Sequence, residues 1–229
     1  PSIEYPYGSN TFVMSSKALT KVAIRDDEEK MTLAALDNAG GLSVIKFQKE
    51  EDFLSGEVVL EKTQVELTFS HGEITELAID SDQHWLFFIE NHTRLNAVDL
   101  YQDVPVILDS YAIEDEDNRF VDMTLLLGGI SLLTVDTQGS IIQWFMVRNT
   151  QGPWSLQPVR EFSNGSLSNG SSAEATLIAE HRRKGFLSYR NLRAGSGKGS
   201  ELVLYHSTAH RELLREELPM SIDQLGIAP

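Results

Sequence analysis

The residues most suggestive of phosphate chemistry lie at 195–200, where three glycines surround Lys198. A phosphate-binding loop needs a glycine five residues before its Gly-Lys pair and a Ser or Thr directly after the lysine. Leu192 and Gly199 occupy those two positions. The stretch also falls between two runs of strand-forming residues, so we interpret it as a hairpin tip and assign it no cofactor.

Acidic residues 114–117 could offer oxygen ligands to calcium. An EF-hand loop places Gly at its sixth position and Glu at its twelfth, and a loop starting at Glu114 or Asp115 supplies neither. Contiguous charges are typical of a solvated loop. We therefore predict no metal site in this segment.

Histidine, serine and cysteine chemistry is equally sparse. His206 and His210 have the spacing of two helical ligands, but they flank a predicted turn and have no third partner in view. No Gly-x-Ser-x-Gly elbow occurs, and the absence of cysteine excludes thiolate metal sites, disulfides and a cysteine nucleophile. The sequence therefore predicts no catalytic residue, no cofactor and no enzyme.

One basic cluster interrupts the acidic chain. It could contact anionic lipid headgroups or an acidic partner surface, although a solvated hairpin is the alternative. Its members are Arg182, Arg183, Lys184, Arg190 and Arg193.

The charge of the whole chain constrains its partners. The 229 residues carry a formal charge of −15, and the excess of acidic side chains lies in residues 1–120. Such a chain repels phosphate backbones, so nucleic acid is a disfavoured partner. The sequence has no run of 18 apolar residues, the minimum for a membrane-spanning helix.

A repeat of roughly fifty residues organises the chain. Runs rich in β-branched and aromatic residues are separated by polar turns, and they group in fours. The four units cover residues 19–67, 74–113, 121–162 and 175–218, and a fifth opens at 222–229.

Four strands per unit predict an all-β fold of four-stranded antiparallel β-propeller blades within one domain, residues 1–229. A sandwich or barrel is the alternative. We expect each blade to bury one alternating face, as in Ile74, Leu77 and Ile79 packed on the following strand. Residues 208–218 also fit a short helix, but their place as a fourth strand favours β structure.

Residues 74–100 and 218–229, together with the order of the units, carry a resemblance to a family. The chain resembles the extracytoplasmic propeller-like insert of phosphate-type ABC transporter permeases. The resemblance implies a periplasmic domain at the bacterial inner membrane, attached through helices outside this chain. Its function would be to support phosphate transport by docking a binding protein or another transporter subunit.

Two other function classes remain open. A cytoplasmic, free-standing propeller that serves as a protein-interaction scaffold needs no transporter. A propeller hydrolase or lyase is the weaker choice, because no His, Asp and Arg set recurs in register on the first strands.

The fifth unit also predicts a fragment of a larger ring, since propellers close at about four to eight blades. Residues 11–14 and 222–227 are the expected end strands, and only Asp223 is charged among them. We expect open ends either to self-associate or to pair with each other.

Overall fold

The computed structural model shows a chain built from strands and tight turns. It describes residues 2–5, 8–13, 17–56, 58–65, 67, 69, 71–148, 150, 152–163, 175–179, 184–194, 197–222 and 225. Among them the one helical element is a single 3₁₀ turn, Leu127–Gly129. None of these described segments is therefore a helix able to cross a bilayer.

The chain divides into two compact units. Unit 1 comprises residues 1–91 and 96–108, and unit 2 comprises residues 92–95 and 109–229. Unit 1 begins with a two-stranded antiparallel hairpin, β1 (Ser2–Tyr5) and β2 (Gly8–Val13). Only the end of β2 was expected as a strand from the sequence.

Two four-stranded sheets follow. Sheet 1 contains, in order, β3 (Leu19–Asp26), β4 (Lys30–Asp37), β5 (Leu42–Glu51) and β6 (Val58–Val65). Sheet 2 contains β7 (Ile74–Ile79), β8 (Trp85–Glu90), β9 (Arg94–Asp99) and β10 (Val106–Ala112). Within unit 1, the first strands β3 and β7 pack beside each other.

Unit 2 repeats the arrangement. Sheet 3 contains β11 (Phe120–Leu126), β12 (Ser131–Asp136), β13 (Ser140–Arg148) and β14 (Trp154–Ser163). Sheet 4 contains β15 (Ala175–Ala179), β16 (Gly185–Ala194), β17 (Gly197–His206) and β18 (Arg211–Leu218). Here β11 and β15 are the neighbouring first strands. The four predicted four-stranded antiparallel sheets are confirmed.

Burial varies systematically across each sheet. The second strands β4, β8 and β12 are buried along almost their whole length, whereas the fourth strands β10 and β18 are mostly exposed. The expectation that each blade buries one alternating face is therefore wrong for the second strands. Both faces of these strands are covered, which explains their continuous apolar runs.

Each unit has its own hydrophobic core made by two sheets. The core of unit 1 includes Ala34, Leu36, Val44, Ile74, Ile79, Leu86, Phe88, Val98 and Leu100, and a smaller buried cluster of the same unit joins Met31, Ile45 and Phe47. The core of unit 2 consists of Leu126, Leu133, Val135, Ile141, Phe162, Leu177, Phe186, Val203 and Tyr205. Trp85 and Trp144 are buried, while Trp154 is only half-buried.

The hairpin turns explain the local chain reversals. Asp136 Oδ1 accepts the backbone N–H groups of Gln138 and Ser140, at 3.0 and 2.8 Å, and Gly139 adopts φ 83°. Asp37 organises the β4–β5 turn in the same way. Glycine suits position 139 because it adopts this backbone conformation without strain.

Three boundaries differ from the expectations. Residues 197–200 of the predicted hairpin tip form the start of β17, and residues 195–196 lie outside the described residues. Residues 211–218 are a strand, which excludes the helical alternative there. Ile222 and Leu225 are not in a strand, and the rest of the predicted end strand lies outside the described residues.

Candidate interaction surface

The turn between β5 and β6 is organised by one carboxylate. Asp52 Oδ1 accepts the backbone N–H groups of Leu54 and Ser55, at 2.9 and 2.8 Å, and the Ser55 hydroxyl at 3.0 Å. Gly56, with φ 68°, donates its N–H to the Asp52 carbonyl at 2.8 Å. These hydrogen bonds, led by the Ser55 N–H, lower the pKa of the Asp52 carboxyl. An ionised aspartate therefore holds the turn at neutral pH.

This turn presents two large apolar side chains to solvent. Phe53 is 100% exposed and Leu54 is 96% exposed. Burying a side chain of this kind contributes about 1.5–3 kcal/mol. We call residues 52–56 the tip. Its apolar surface is displayed by a hydrogen-bonded turn, so little conformational entropy remains to be lost when a partner covers it.

Acidic side chains surround the tip. Glu50 and Glu51 are exposed at the end of β5, immediately before Asp52. The nearby cation Lys49 lies 2.6 Å from Asp26, so its charge is compensated within sheet 1. The tip therefore combines an apolar point with a negatively charged base.

A second cluster of side chains, partly buried, lies on unit 1. The His84 ring is stacked between Trp85 and Tyr101, with ring centroids 3.8 and 4.1 Å away, and His84 Nε2 lies 3.1 Å from Asp99 Oδ1. Lys30 Nζ is 3.1 Å from the Tyr101 hydroxyl. The polar atoms of this cluster contact one another, so it ties loops together and offers less to a partner than the tip does.

The structure describes only part of the basic cluster from the sequence. Lys184 is exposed, and Arg190 is 7% exposed. Arg182 and Arg183 lie outside the described residues, and the structure describes only the backbone of Arg193. A partner or lipid contact at the cluster stays a prediction. Arg190 is buried and therefore is not available for that contact.

Arg190 instead belongs to a buried ion network across sheet 4. Its Nη2 lies 2.6 Å from Glu201 Oε2, and Glu201 is also 7% exposed. Arg215 approaches Glu201 Oε1 at 2.5 Å and Glu212 at 2.7 Å. Hydrogen bonds to Glu212 and Glu201 raise the pKa of Arg215. The network joins β16, β17 and β18, and its charges are directed at one another.

The remaining sequence candidates make local contacts. Asp115 accepts hydrogen bonds from the Asp117 backbone and the Gln138 side chain. His206 Nδ1 accepts the N–H of Ala209 at 3.1 Å, and His210 Nε2 lies 2.8 Å from a backbone carbonyl. Across the described residues, no three His, Cys, Asp or Glu side chains are placed to share a metal ion.

The tip was missed from the sequence. Residues 52–56 lie inside the first predicted unit, residues 19–67. The consecutive apolar residues Phe53 and Leu54 did not indicate a turn. The available signal was the spacing Asp-x-x-Ser-Gly, because Asp at the first position and Gly at the end are typical of a capped turn.

Comparison with known proteins supports the fold. No protein-family model matches the chain, and no curated protein sequence matches it. The structure is similar to the β-propeller domain of Cps50 (Swd1) from Myceliophteria thermophila, with a TM-score of 0.56 and 12% identity over 92% of this chain and 64% of that one. Together with the four sheets, this likeness shows that the chain has a propeller-like fold made of blade-like sheets.

Two further solved structures match with lower scores. Hsv2 from Kluyveromyces lactis has a TM-score of 0.48 and 10% identity, covering 86% of this chain and 62% of that one. Apo AztD from Citrobacter koseri has a TM-score of 0.48 and 12% identity, covering 89% and 47%. This chain thus spans less than two thirds of each structure that it matches here.

Proposed function

We propose that this chain is a propeller-type protein-interaction scaffold whose tip enters an apolar pocket on a partner protein. The observation that carries the proposal is the full exposure of Phe53 and Leu54 on a turn held by Asp52. Interface energy concentrates in a few apolar anchors that fill pockets, and a pre-formed hairpin supplies such anchors at low entropic cost.

The charge around the tip narrows the partner. Glu50, Glu51 and Asp52 would face the rim of the pocket. Complementarity therefore favours a rim of lysine and arginine. An anionic membrane is disfavoured as the partner, because it attracts basic segments and repels acidic ones.

The phosphate-permease resemblance stays a separate hypothesis, as does a periplasmic location. None of the three matched proteins is named as a permease. The exposed tip needs no transporter to explain it, so the free-standing scaffold is the better-supported function. The proposed role is non-enzymatic, because an interaction scaffold acts by binding alone.

The test compares baits that differ only at the tip. Extract from the source organism is passed over the wild-type chain, the double variant Phe53→Ser/Leu54→Ser, and the control Ile130→Ser. Ile130 is a suitable control because it is 67% exposed and lies in a turn of unit 2. The partner is the protein retained by wild type and control and lost with the double variant.

Direct binding to the purified partner completes the test. We expect the tip variant to weaken the affinity about 30-fold or more, as for a truncated hot spot. Raising the salt concentration should weaken wild-type binding as well. Equal retention of all proteins by the three baits contradicts the proposal, and so does tip-dependent binding to anionic vesicles in place of a protein.

A further inference from the structure

A cavity of about 290 Å³ lies in unit 2. Its lining comes from three segments: the β8–β9 turn, the start of β11 and the β12–β13 turn. The lining residues are His92, Arg119, Phe120, Val121 and Thr137. This volume is near the lower end of the usual range for small-molecule sites, about 300–1,000 Å³, so a small ligand or a single side chain fits.

Backbone hydrogen bonds hold the three segments together. Thr137 N–H donates to the Arg119 carbonyl at 2.8 Å, and Phe120 N–H donates to the His92 carbonyl at 2.6 Å. The buried Asn118 donates to Asp136 Oδ2 at 2.8 Å, which fixes the start of β11 against the β12–β13 turn. The walls of the cavity are therefore formed before any ligand arrives.

Arg119 is the cation of the cavity, and its main chain is anchored. Its backbone N–H lies 3.0 Å from Asn118 Oδ1 and 3.1 Å from the Thr137 hydroxyl. Its Nη1 donates to the Asn118 carbonyl at 2.6 Å. Nε and Nη2 of the guanidinium remain as donors for a ligand, and Arg119 forms no ion pair with any carboxylate in the described part of the chain.

Two carboxylates near the lining residues in sequence, Asp136 and Asp115, have other partners. Asp136 Oδ1 accepts the N–H groups of Gln138 and Ser140, and its Oδ2 accepts from Asn118. Asp115 Oδ2 accepts the Gln138 side chain at 2.7 Å. Arg119 is exposed and pairs with neither of these carboxylates, so its guanidinium is accessible to an external anion.

The other lining residues define the rest of the ligand. Phe120 and Val121 contribute apolar surface, and Thr137 contributes a hydroxyl. His92 Nδ1 lies 3.2 Å from the Phe120 carbonyl and donates to it, so Nε2 is the ring nitrogen left for a ligand. A guanidinium beside apolar surface suits a carboxylate on an apolar body.

We propose that this cavity binds a singly charged carboxylate attached to an apolar body. A carboxylate with one negative charge matches the cation that Arg119 supplies to the lining, and the planar guanidinium suits its two oxygens. At 0.15 M ionic strength the repulsion from the net charge of the protein is screened beyond about 8 Å, so the local contact with Arg119 dominates. The site is independent of the tip and of its partner.

The probes are phenylacetate and its neutral analogue phenylacetamide, added to the ¹⁵N-labelled full chain in 0.15 M salt. We expect phenylacetate to cause saturable amide shifts at Arg119, Val121 and Thr137. Phenylacetamide should bind at least about tenfold more weakly, because it lacks the charge-assisted hydrogen bond. Absence of saturable shifts up to about 10 mM phenylacetate, or equal binding of the two probes, overturns the proposal.

Substitutions separate charge from shape. Arg119→Gln should weaken phenylacetate binding about tenfold or more, and Arg119→Lys should retain part of it, because lysine keeps the charge and loses the planar fork. Arg211→Gln, at an exposed arginine on β18, is the matched control and should bind like wild type. Equal binding by Arg119→Gln and wild type overturns the assignment.

Two peptide probes identify the source of the carboxylate. Acetyl-Gly-Phe with a free C-terminus is compared with its amidated form. Tighter binding of the free form than of phenylacetate, together with loss on amidation, supports a peptide C-terminus. Binding of phenylacetate without binding of either peptide supports a small carboxylic acid.

Discussion

Single aspartates determine several turns of this protein, but their environments differ. Asp37 and Asp52 accept backbone N–H groups at exposed turns, and these hydrogen bonds lower the pKa of both carboxyls. Asp80 makes comparable bonds to the N–H groups of His84 and Trp85, at 2.8 and 2.7 Å. It is only 6% exposed, and burial raises the pKa of its carboxyl despite those bonds. The environment therefore stabilises the ionised carboxylate of Asp37 and Asp52, whereas it destabilises the ionised carboxylate of Asp80.

Replacing Asp80 by Asn should stabilise the protein at neutral pH. The amide oxygen keeps the role of acceptor, and the buried charge is removed. Because the folded pKa is raised, wild-type stability falls as pH rises from the unfolded pKa, about 3.9, through the folded value. The advantage of Asp80→Asn should therefore be small at pH 3.5, grow through that window and then stay constant. Urea denaturation at several pH values measures it.

Asp37→Asn is the control, and its effect on stability at neutral pH should have the opposite sign. The lowered folded pKa of Asp37 contributes stability that is present above the unfolded pKa and lost as pH falls through the folded value. This variant should therefore be less stable than wild type at pH 7. An Asp80→Asn protein that is also less stable at pH 7 would show that burial does not dominate at Asp80.

At the scale of the elements, the ion network of sheet 4 is the contact most sensitive to substitution. Glu201 lies between Arg190 and Arg215, and both Glu201 and Arg190 are buried. Removing one partner of a buried pair leaves an uncompensated charge, and the measured cost is about 3–5 kcal/mol. Glu201→Gln should lower the free energy of unfolding by about 3 kcal/mol, the lower end of that range, since Gln keeps one acceptor.

Glu212→Gln serves as the comparison. It removes the other carboxylate of Arg215, but this pair is partly exposed and three residues apart on β18. Exposed pairs contribute about 0.2–1 kcal/mol, so the loss should be small. Chemical denaturation measures the free energy of unfolding of both variants. Equal losses for the two substitutions would contradict the role given to burial at Glu201.

The strands were largely predictable from the sequence, and the reasons are physical. Turn residues mark the ends of β8 and β12, because apolar runs end where a capped turn begins. The β1–β2 hairpin was missed, since its strands are short and carry few branched residues. The burial of second strands on both faces was missed because it depends on the sheets that cover them.

The candidate site was less predictable than the fold. The basic cluster drew attention because charges stand out in a sequence, but Arg190 meets Glu201 only through the register of β16 and β17. The lining of the cavity draws on three separate turns, and sequence order does not show that His92 and Arg119 approach each other. Sites assembled across turns follow from strand pairing, which a local pattern does not contain.

The charge of the whole molecule carries its own prediction. A net charge of −15 creates self-repulsion that opposes the compact state. Raising NaCl from about 0.01 to 0.15 M shortens the screening length from about 30 to 8 Å, so the melting temperature should rise by a few degrees. The buried network of sheet 4 is screened much less and should not reverse this trend. Thermal unfolding followed by circular dichroism measures the effect.

A variant of reduced charge provides the comparison. Glu28→Gln, Glu29→Gln and Glu116→Gln together remove three exposed carboxylates that form no ion pair among the described residues. The dependence of its melting temperature on salt should be weaker than that of wild type. An identical salt dependence would show that specific ion binding, and not general repulsion, is responsible.

The order of strands within each sheet has a consequence for synthesis on the ribosome. Every four-stranded sheet pairs strands that follow one another along the chain. Hairpins form in about 1–10 μs, whereas translation adds about 5–20 residues per second. A sheet of roughly fifty residues therefore has seconds to pair its strands before the next one is complete. The nascent chain should emerge as successive paired sheets, and unpaired strand edges should be exposed to chaperones only briefly.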